Sequence, residues 1–436
     1  MKENIENRIY NFFINSKDFN GIPLRQISEE FEVDYETFID MVKELVNERK
    51  VSIQSSSNPH IIGIRHYPID SQIKILDDAK VINIESMEYE GVSFSYENTE
   101  YPICLYPSQE KLESNRDCIE YGYACYSKAL ALGDPQLKPI FFDIDVLDRY
   151  FNDPRFDFNF EDYSGNISCI HDDLYNPLVR NEDNVLIQSF GIGFDNQKNR
   201  VAVVYLRYLH NLTAEHQIYW KNKEKKQKCT ILTEYFHNTI EGNWTFSQSI
   251  FSAFLLELKC LNELSYLIYN THLFHETFEG EKRPKEFTFF FIPTIKNYND
   301  FILLLDKLIS ENLNKTFFEG KLDLFILREE NGIHIKEKKG TLALLEEWLT
   351  SIFKIKGEGS ISDIIKPFKN IRKERQKPAH KVTKNAYDLN LIEKQKEIIG
   401  EAYESMRQLR HIFHLHPKGK KYKLPDYIDN IKIISL

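Results

Sequence analysis

Apolar residues recur at helical spacing in several stretches and alternate with polar residues in others. Helices are predicted at Glu3–Asn15 (Ile5, Ile9, Phe12, Phe13), Arg25–Phe31 and Tyr35–Glu48 (Phe38, Met41, Val42, Leu45). Further helices are expected over Glu110–Leu132, from Val146 to Phe151, and over Ser247–Asn270, which is apolar on most faces and so buried. Tyr298–Asn312 reads as amphipathic, and Thr341–Phe353, Ser360–Arg375 and Asn390–Phe413 make the end of the chain helical. Strands are predicted at Ile73–Ile75, Ala79–Ile84, Gly91–Tyr96, Ile140–Ile144, Glu215–Trp220, Thr230–Phe236 and Glu286–Ile292. Val185–Phe194 with Arg200–Leu209 reads as a hairpin, as does Leu322–Leu327 with Ile333–Glu337. The Asp/Phe-rich segment 153–166 reads as a loop.

This order predicts an α+β multidomain chain: a first domain over 1–65, a central α+β sensor or regulatory region over 66–339 with an internal break near 180 or 285, and a helical domain over 340–436. Three helices followed by Val51–Ile53 and Ile61–Ile64 as a wing hairpin resemble the winged helix-turn-helix family. The third helix and its N-cap carry Asp34, Glu36, Asp40, Glu44 and Glu48 against Lys43 and Arg49, a charge that repels DNA. A protein-contact or structural module, with a protein partner at this domain, is the expectation.

Hydrophobic residues at 42% and aromatic residues at 13% are enough for packed cores. No apolar run has the roughly 18–20 residues of a membrane span, and MKENIENRIY lacks the pattern of a signal peptide. A cytoplasmic protein without membrane association is expected. Six scattered cysteines form neither a disulfide framework nor a zinc knuckle, although Cys118 and Cys125 could share a helix face. The net charge of −10 conceals a division: residues 366–436 hold 17 Lys/Arg against 8 Asp/Glu, so the rest of the chain carries about −19. The basic end should attract polyanions, or dock on the acidic body.

Inside the basic end stands Arg375-Gln376-Lys377-Pro378-Ala379-His380. An arginine permanently charged and a histidine titrating near neutrality are what RNA cleavage through the 2′-hydroxyl requires: a cation for the phosphorane and an acid/base for the proton. This R-x4-H arrangement resembles the signature of the HEPN superfamily, small helical domains many of which are metal-independent ribonucleases of toxin and antiphage systems. The resemblance covers roughly Gly340–Pro417 and implies that Arg375 stabilises the transition state, His380 is the acid/base and Gln376 positions the pair. It also implies a homodimer, no metal and no cofactor. Arg372, Lys373, Lys377, Lys381 and Lys384 would bind the RNA backbone. Gln376 stands where the family often has Asn, Asp or His. Pro378 lies within the motif, and about three helices are legible where the family commonly has four or five. The same spacing suits an arginine bridging acidic residues and a histidine capping a helix, and that reading stays open.

His411, His414 and His416 invite a metal reading without acidic partners, and His272, His275 and Glu276 invite one with the acid adjacent rather than at metal-ligand spacing. Asp143, Asp145 and Asp148 invite one for Mg²⁺ in an acidic region. No phosphate-binding glycine loop or hydrolase elbow is present. The sequence therefore points to a HEPN-type RNA endonuclease of stress response or antiphage defence, regulated by the preceding domains. The alternative is a non-catalytic nucleic-acid-binding or adaptor protein that docks through its basic end.

Overall fold

A computed structural model describes residues 1–16, 18–54, 66–81, 84–89, 92–97, 103–118, 121–169, 183–243, 247–330, 333–354, 359–377 and 384–434. It is a mixed α+β protein with antiparallel sheets and a helical C-terminal region. Two compact units divide it: Met1–Val146 with Tyr150–Asp157 and Asn166–Thr230, and Leu147–Arg149 with Phe158–Gly165 and Ile231–Leu436. Among the described residues, no helix is long and apolar enough to cross a membrane.

In the first unit, helices Lys2–Asn15, Leu24–Glu29 and Tyr35–Asn47 enclose Ile5, Ile9, Ile27, Phe38, Val42 and Leu45. Asp34 starts the third helix by accepting the Thr37 amide at 2.9 Å. Strand Val51–Gln54 and strand Ile22–Pro23 each pair antiparallel with Cys104–Pro107. The expected wing partner, Ile61–Ile64, lies outside the described residues. Two acidic residues of the third helix are held by lysines, Asp40 by Lys80 at 2.7 Å and Glu44 by Lys2.

Several predicted strands are helices. Ile73–Ile75 belongs to helix Ile69–Asp78, because Ile69, Ile73 and Leu76 share a stripe that packs on the Phe38 core. Of the predicted strand Ala79–Ile84, Ala79 caps helix Ile69–Asp78, residues 82 and 83 lie outside the described residues, and Ile84 belongs to strand Ile84–Tyr89, which pairs with Val92–Glu97. Glu215–Trp220 is helix Ala214–Asn222, capped by Thr213. Its buried face carries His216, Gln217 and Trp220; Gln217 accepts the Tyr126 amide at 2.9 Å, and the Trp220 indole donates to Tyr150 at 2.9 Å. Thr230–Phe236 divides into strand Cys229–Ile231 and helical turn Thr233–Phe236. Glu110–Leu132 is not one helix: Gln109–Ser114 and Cys125–Ala131 are separated by a 3-10 turn at Arg116–Cys118 and by Gly122 at φ 52°, so Cys118 and Cys125 share no helix face.

Segment 153–166 is not a loop but holds strand Asp157–Glu161 and the start of Ser164–Cys169, turning at Asp162 (φ 53°). The alternation of Phe156, Phe158 and Phe160 with polar residues is the period of a strand. Val185–Asp195 and Arg200–Tyr205 form the expected hairpin, and Pro139–Asp143 adds to the second of them. Gly193 is required where Cys229–Ile231 approaches, since a Cβ there would meet the Thr230 carbonyl oxygen at 2.5 Å.

Among the described residues, the second unit gathers five longer helices: Ile250–Tyr269, Ile295–Asp306, Thr341–Ile352, Ile361–Gln376 and Asn390–His414. Ile250–Tyr269 runs along Asn390–His414, and Ile361–Gln376 packs on Ile295–Asp306, Thr341–Ile352 and Asn390–His414. Trp348 is buried against Phe317 at 4.8 Å and Phe413 at 5.8 Å, fixing Thr341–Ile352 in place. Glu286–Ile292 is not a strand. Phe287, Phe289, Phe290 and Phe291 are all buried, and Gln395 serves the backbone in place of a neighbouring strand, donating to the Thr288 carbonyl at 2.9 Å. Strands Phe325–Glu330 and Ile333–Lys338 pair as expected.

Arg410 is wholly buried on the last helix and holds Glu257, also wholly buried, at 2.7 and 3.0 Å, and Asp429 at 2.7 Å. Burial opposes the charged guanidinium, but these two carboxylates outweigh it and raise its pKa. Burial would also raise the Asp429 carboxyl, yet the Arg410 hydrogen bond and charge, with His411 nearby, hold it below the usual value. Arg410→Met should cost about 3–5 kcal/mol in urea unfolding, because Glu257 is left uncompensated, while Arg410→Met with Glu257→Leu should recover most of it. The Asp429 share should be present above its unfolded pKa of about 3.9 and lost as pH falls through the lower folded value.

Candidate functional site

Helix Ile361–Gln376 presents the motif arginine. Ser360 and Asp363 form a capping box at its start. Ile361, Ile365, Phe368 and Ile371 make its buried stripe, which leaves Lys369, Arg372, Lys373, Arg375 and Gln376 off the core. Cations in the last turn also suit the helix dipole.

Arg375 is not left to solvent. Its Nη1 donates to Asp306 Oδ2 at 2.6 Å and to Glu311 Oε1, and Arg372 stands 3.7 Å from the same Asp306 oxygen. The bond to Asp306, then that to Glu311, raises the Arg375 pKa. The two carboxylates are five residues apart, a spacing that an α-helix turns to different faces. Here helix Ile295–Asp306 gives way to a π-helical turn, Lys307–Glu311. Closing hydrogen bonds five residues apart brings residues five apart onto one side, and such turns are frequent at functional sites.

The partners differ in burial. The Asp306 side chain is 0% exposed and that of Glu311 is 42% exposed, with Arg375 at 31%. Asp306 Oδ1 and the Ser310 hydroxyl are buried without a hydrogen-bond partner. Removing the cation beside a buried carboxylate costs several kcal/mol, whereas exposed pairs are worth about 0–1 kcal/mol. Asp306 is therefore the anchor of Arg375, and Glu311 the exchangeable partner.

Beside this cluster lies a cavity of about 320 Å³. Lys369, Arg372, Lys373 and Gln376 line one side, and the start of helix Thr341–Ile352 lines the other. That helix has Gly340 as its N-cap and no side-chain cap, and the Thr341 hydroxyl is spent on the Ser310 carbonyl at 2.6 Å. The wall is thus rich in donors: three cations, an amide and the first-turn N–H groups of a helix. Among the described residues, only Lys369 of these cations has a close carboxylate other than Asp306, namely Glu346.

Of the residues expected to act, Arg372, Lys373 and Gln376 meet at this cavity and Arg375 stands next to them on the same helix. Lys377 is paired with Glu374, and Lys384 is exposed. His380 and Lys381 lie outside the described residues. The bridging of acidic residues by Arg375, the alternative left open by the sequence, is what the resting geometry contains. Asp306 and Glu311 went unrecognised because they lie 69 and 64 positions from Arg375. Their only signal was a five-residue spacing that matters solely in a π turn.

The other clusters are held elsewhere. His411 stands 3.6 Å from Asp429, and burial, then Arg410, lowers its pKa against the pull of Asp429. With His416, Phe353, Ile364 and Ile412 it lines an apolar cavity of about 780 Å³ that shares no lining residue with the basic one. His272 stacks on Tyr266 at 4.6 Å. Asp143 and Asp145 pair with Lys225 and Lys223, each at 2.7 Å. Among the described residues no group of three or more His, Cys, Asp or Glu converges as metal ligands. Burial pushes the Cys104 thiol up to about 12 and that of Cys260 up to about 11.

No protein-family model matches the chain, and no curated protein or solved structure matches it.

The division between anchor and exchangeable partner is measurable. A double-mutant cycle of Asp306→Asn with Arg375→Gln should give a coupling of about 1–3 kcal/mol in unfolding free energy. The same cycle for Glu311→Gln with Arg375→Gln should give less than about 1 kcal/mol. Equal couplings would contradict the assignment.

Proposed function

We propose that the basic end of this protein is an RNA-binding site and that the chain is a metal-independent RNA endonuclease of HEPN type. The observation that carries the reading is Arg375: a guanidinium aimed by a buried carboxylate, on the helix turn that also sends Arg372, Lys373 and Gln376 into a donor-lined cavity. Permanent cations converging with amide donors suit the charge of a phosphodiester and of its pentacoordinate transition state. His380, five positions beyond Arg375, would move the proton between the 2′-hydroxyl and the leaving oxygen. RNA supplies its own nucleophile. Three helices, Thr341–Ile352, Ile361–Gln376 and Asn390–His414, fall in the region of the resemblance, fewer than the four or five of the family's bundle, and the pairing of two protomers would complete a cleft. The acidic N-terminal helices, as a winged-helix-type module, would engage a protein partner and, with the central region, restrain the nuclease in defence or stress response.

A second reading has its own observation. Arg375 is engaged by two carboxylates in the resting chain, as a structural arginine would be. In that reading the cavity binds nucleic-acid phosphate without cleaving it, and the protein is an adaptor.

Incubation with total RNA and tRNA in EDTA separates the two. The nuclease reading expects cleavage by the wild type and a loss of at least about a hundredfold in His380→Ala and in Arg375→Lys. Arg375→Lys keeps a charge on Asp306 while removing the guanidinium fork. Cleavage that survives both substitutions would refute the assignment. RNA binding without cleavage, with affinity falling gradually as Lys373 and Arg372 are removed, would establish the adaptor.

A further inference from the structure

A guanidinium meets a carboxylate and a phosphate through the same geometry, with oxygens of the anion in line with its N–H fork. On Arg375 one nitrogen of that fork, Nη1, already serves two carboxylates. One occupant cannot leave, since Asp306 has no exposure to water and one of its oxygens is already without a partner. The other can: Glu311 ends the π turn, its carboxylate is 42% exposed, and water will rehydrate it on release. An anion arriving at Arg375 therefore exchanges with Glu311 and not with Asp306.

We propose that Glu311 is an internal stand-in for substrate phosphate, holding Arg375 in the resting chain and yielding its place to a phosphate group of RNA while Asp306 keeps the guanidinium aimed. This rests on the reading of Arg375 as the residue that meets RNA. The exchange involves no bond making or breaking, only one oxyanion replacing another on the same N–H groups. Lys369, Arg372 and Lys373 beside the site make it directional, because they draw a polyanion but cannot all be satisfied by one carboxylate. The resting site is then only partly available, and its affinity for RNA is lowered by the fraction of time Glu311 is in place. The π turn becomes part of the control, since a regular α-helical turn would carry Glu311 away from Arg375.

The test is binding of a fluorescein-labelled single-stranded oligodeoxynucleotide to the full chain, read by anisotropy. The probe lacks the 2′-hydroxyl and so stays intact. Glu311→Gln keeps size and shape and removes the competing charge. It should tighten binding about two- to fivefold, with a gain that shrinks as salt is added. The gain should vanish in an Asp306→Asn/Arg375→Gln background, where neutral amides replace the buried pair, and Glu401→Gln on the exposed face of the last helix should give a smaller gain or none. Unchanged or weaker binding by Glu311→Gln, with the amide background binding less tightly than wild type, overturns the exchange and leaves the reading of Arg375 standing. An equal gain from Glu401→Gln overturns it too, as a general charge effect. Equal affinities of the wild type and the amide background overturn the reading of Arg375 itself, and the exchange with it.

Discussion

A carboxylate shut away from water must keep a cation against it, and Asp306 meets this demand with Arg375. That requirement organises the second unit around the site. Asp306 closes the helix Ile295–Asp306, so the arginine helix must lie alongside it, and the two do pack together. The same contact sets the rotation of Ile361–Gln376. With its aliphatic stripe inward and Arg375 on Asp306, Lys369, Arg372, Lys373 and Gln376 are directed to the start of Thr341–Ile352. The cavity is a consequence of an anchor formed for reasons of charge.

The unit uses the device a second time. Arg410 and Glu257 form a wholly buried pair between the last helix and Ile250–Tyr269, extended to Asp429 near the end of the chain. Neither pair need add much net stability, since desolvation offsets attraction. Their effect is on register: each helix pair has one alignment in which the buried charges meet, and a slip by one turn leaves a charge uncompensated. Aromatic packing around Trp348 then fills the space that this alignment defines.

Long periodic helices were legible in the sequence because their stripes persist over several turns, as in Ile250–Tyr269 and Asn390–His414. Short ones were not. Ile73–Ile75 and Glu215–Trp220 show too few apolar positions to tell a period of two from one of 3.6, and tertiary packing decided them. The Phe run at 287–291 looked like a strand because its residues are aromatic, yet it joins no sheet among the described residues and Gln395 bonds its backbone instead. At the site, the sequence disclosed the cations, since Arg372, Lys373, Arg375 and Gln376 are near neighbours on one helix. It concealed their carboxylate partners, which a change of helical pitch delivers from another segment.

An acidic body with one basic end thus places its cations where a buried anion fixes one of them and an exposed anion covers it. Salt dependence of RNA affinity tests that end most directly, because each phosphate neutralised by a cation contributes about −0.7 to the slope of log affinity against log salt for a single strand. With an RNA oligonucleotide, Arg372→Ala/Lys373→Ala should reduce the magnitude of the slope by about 1.4 and weaken binding across sequences. An unchanged slope and affinity would mean that RNA does not meet this cavity.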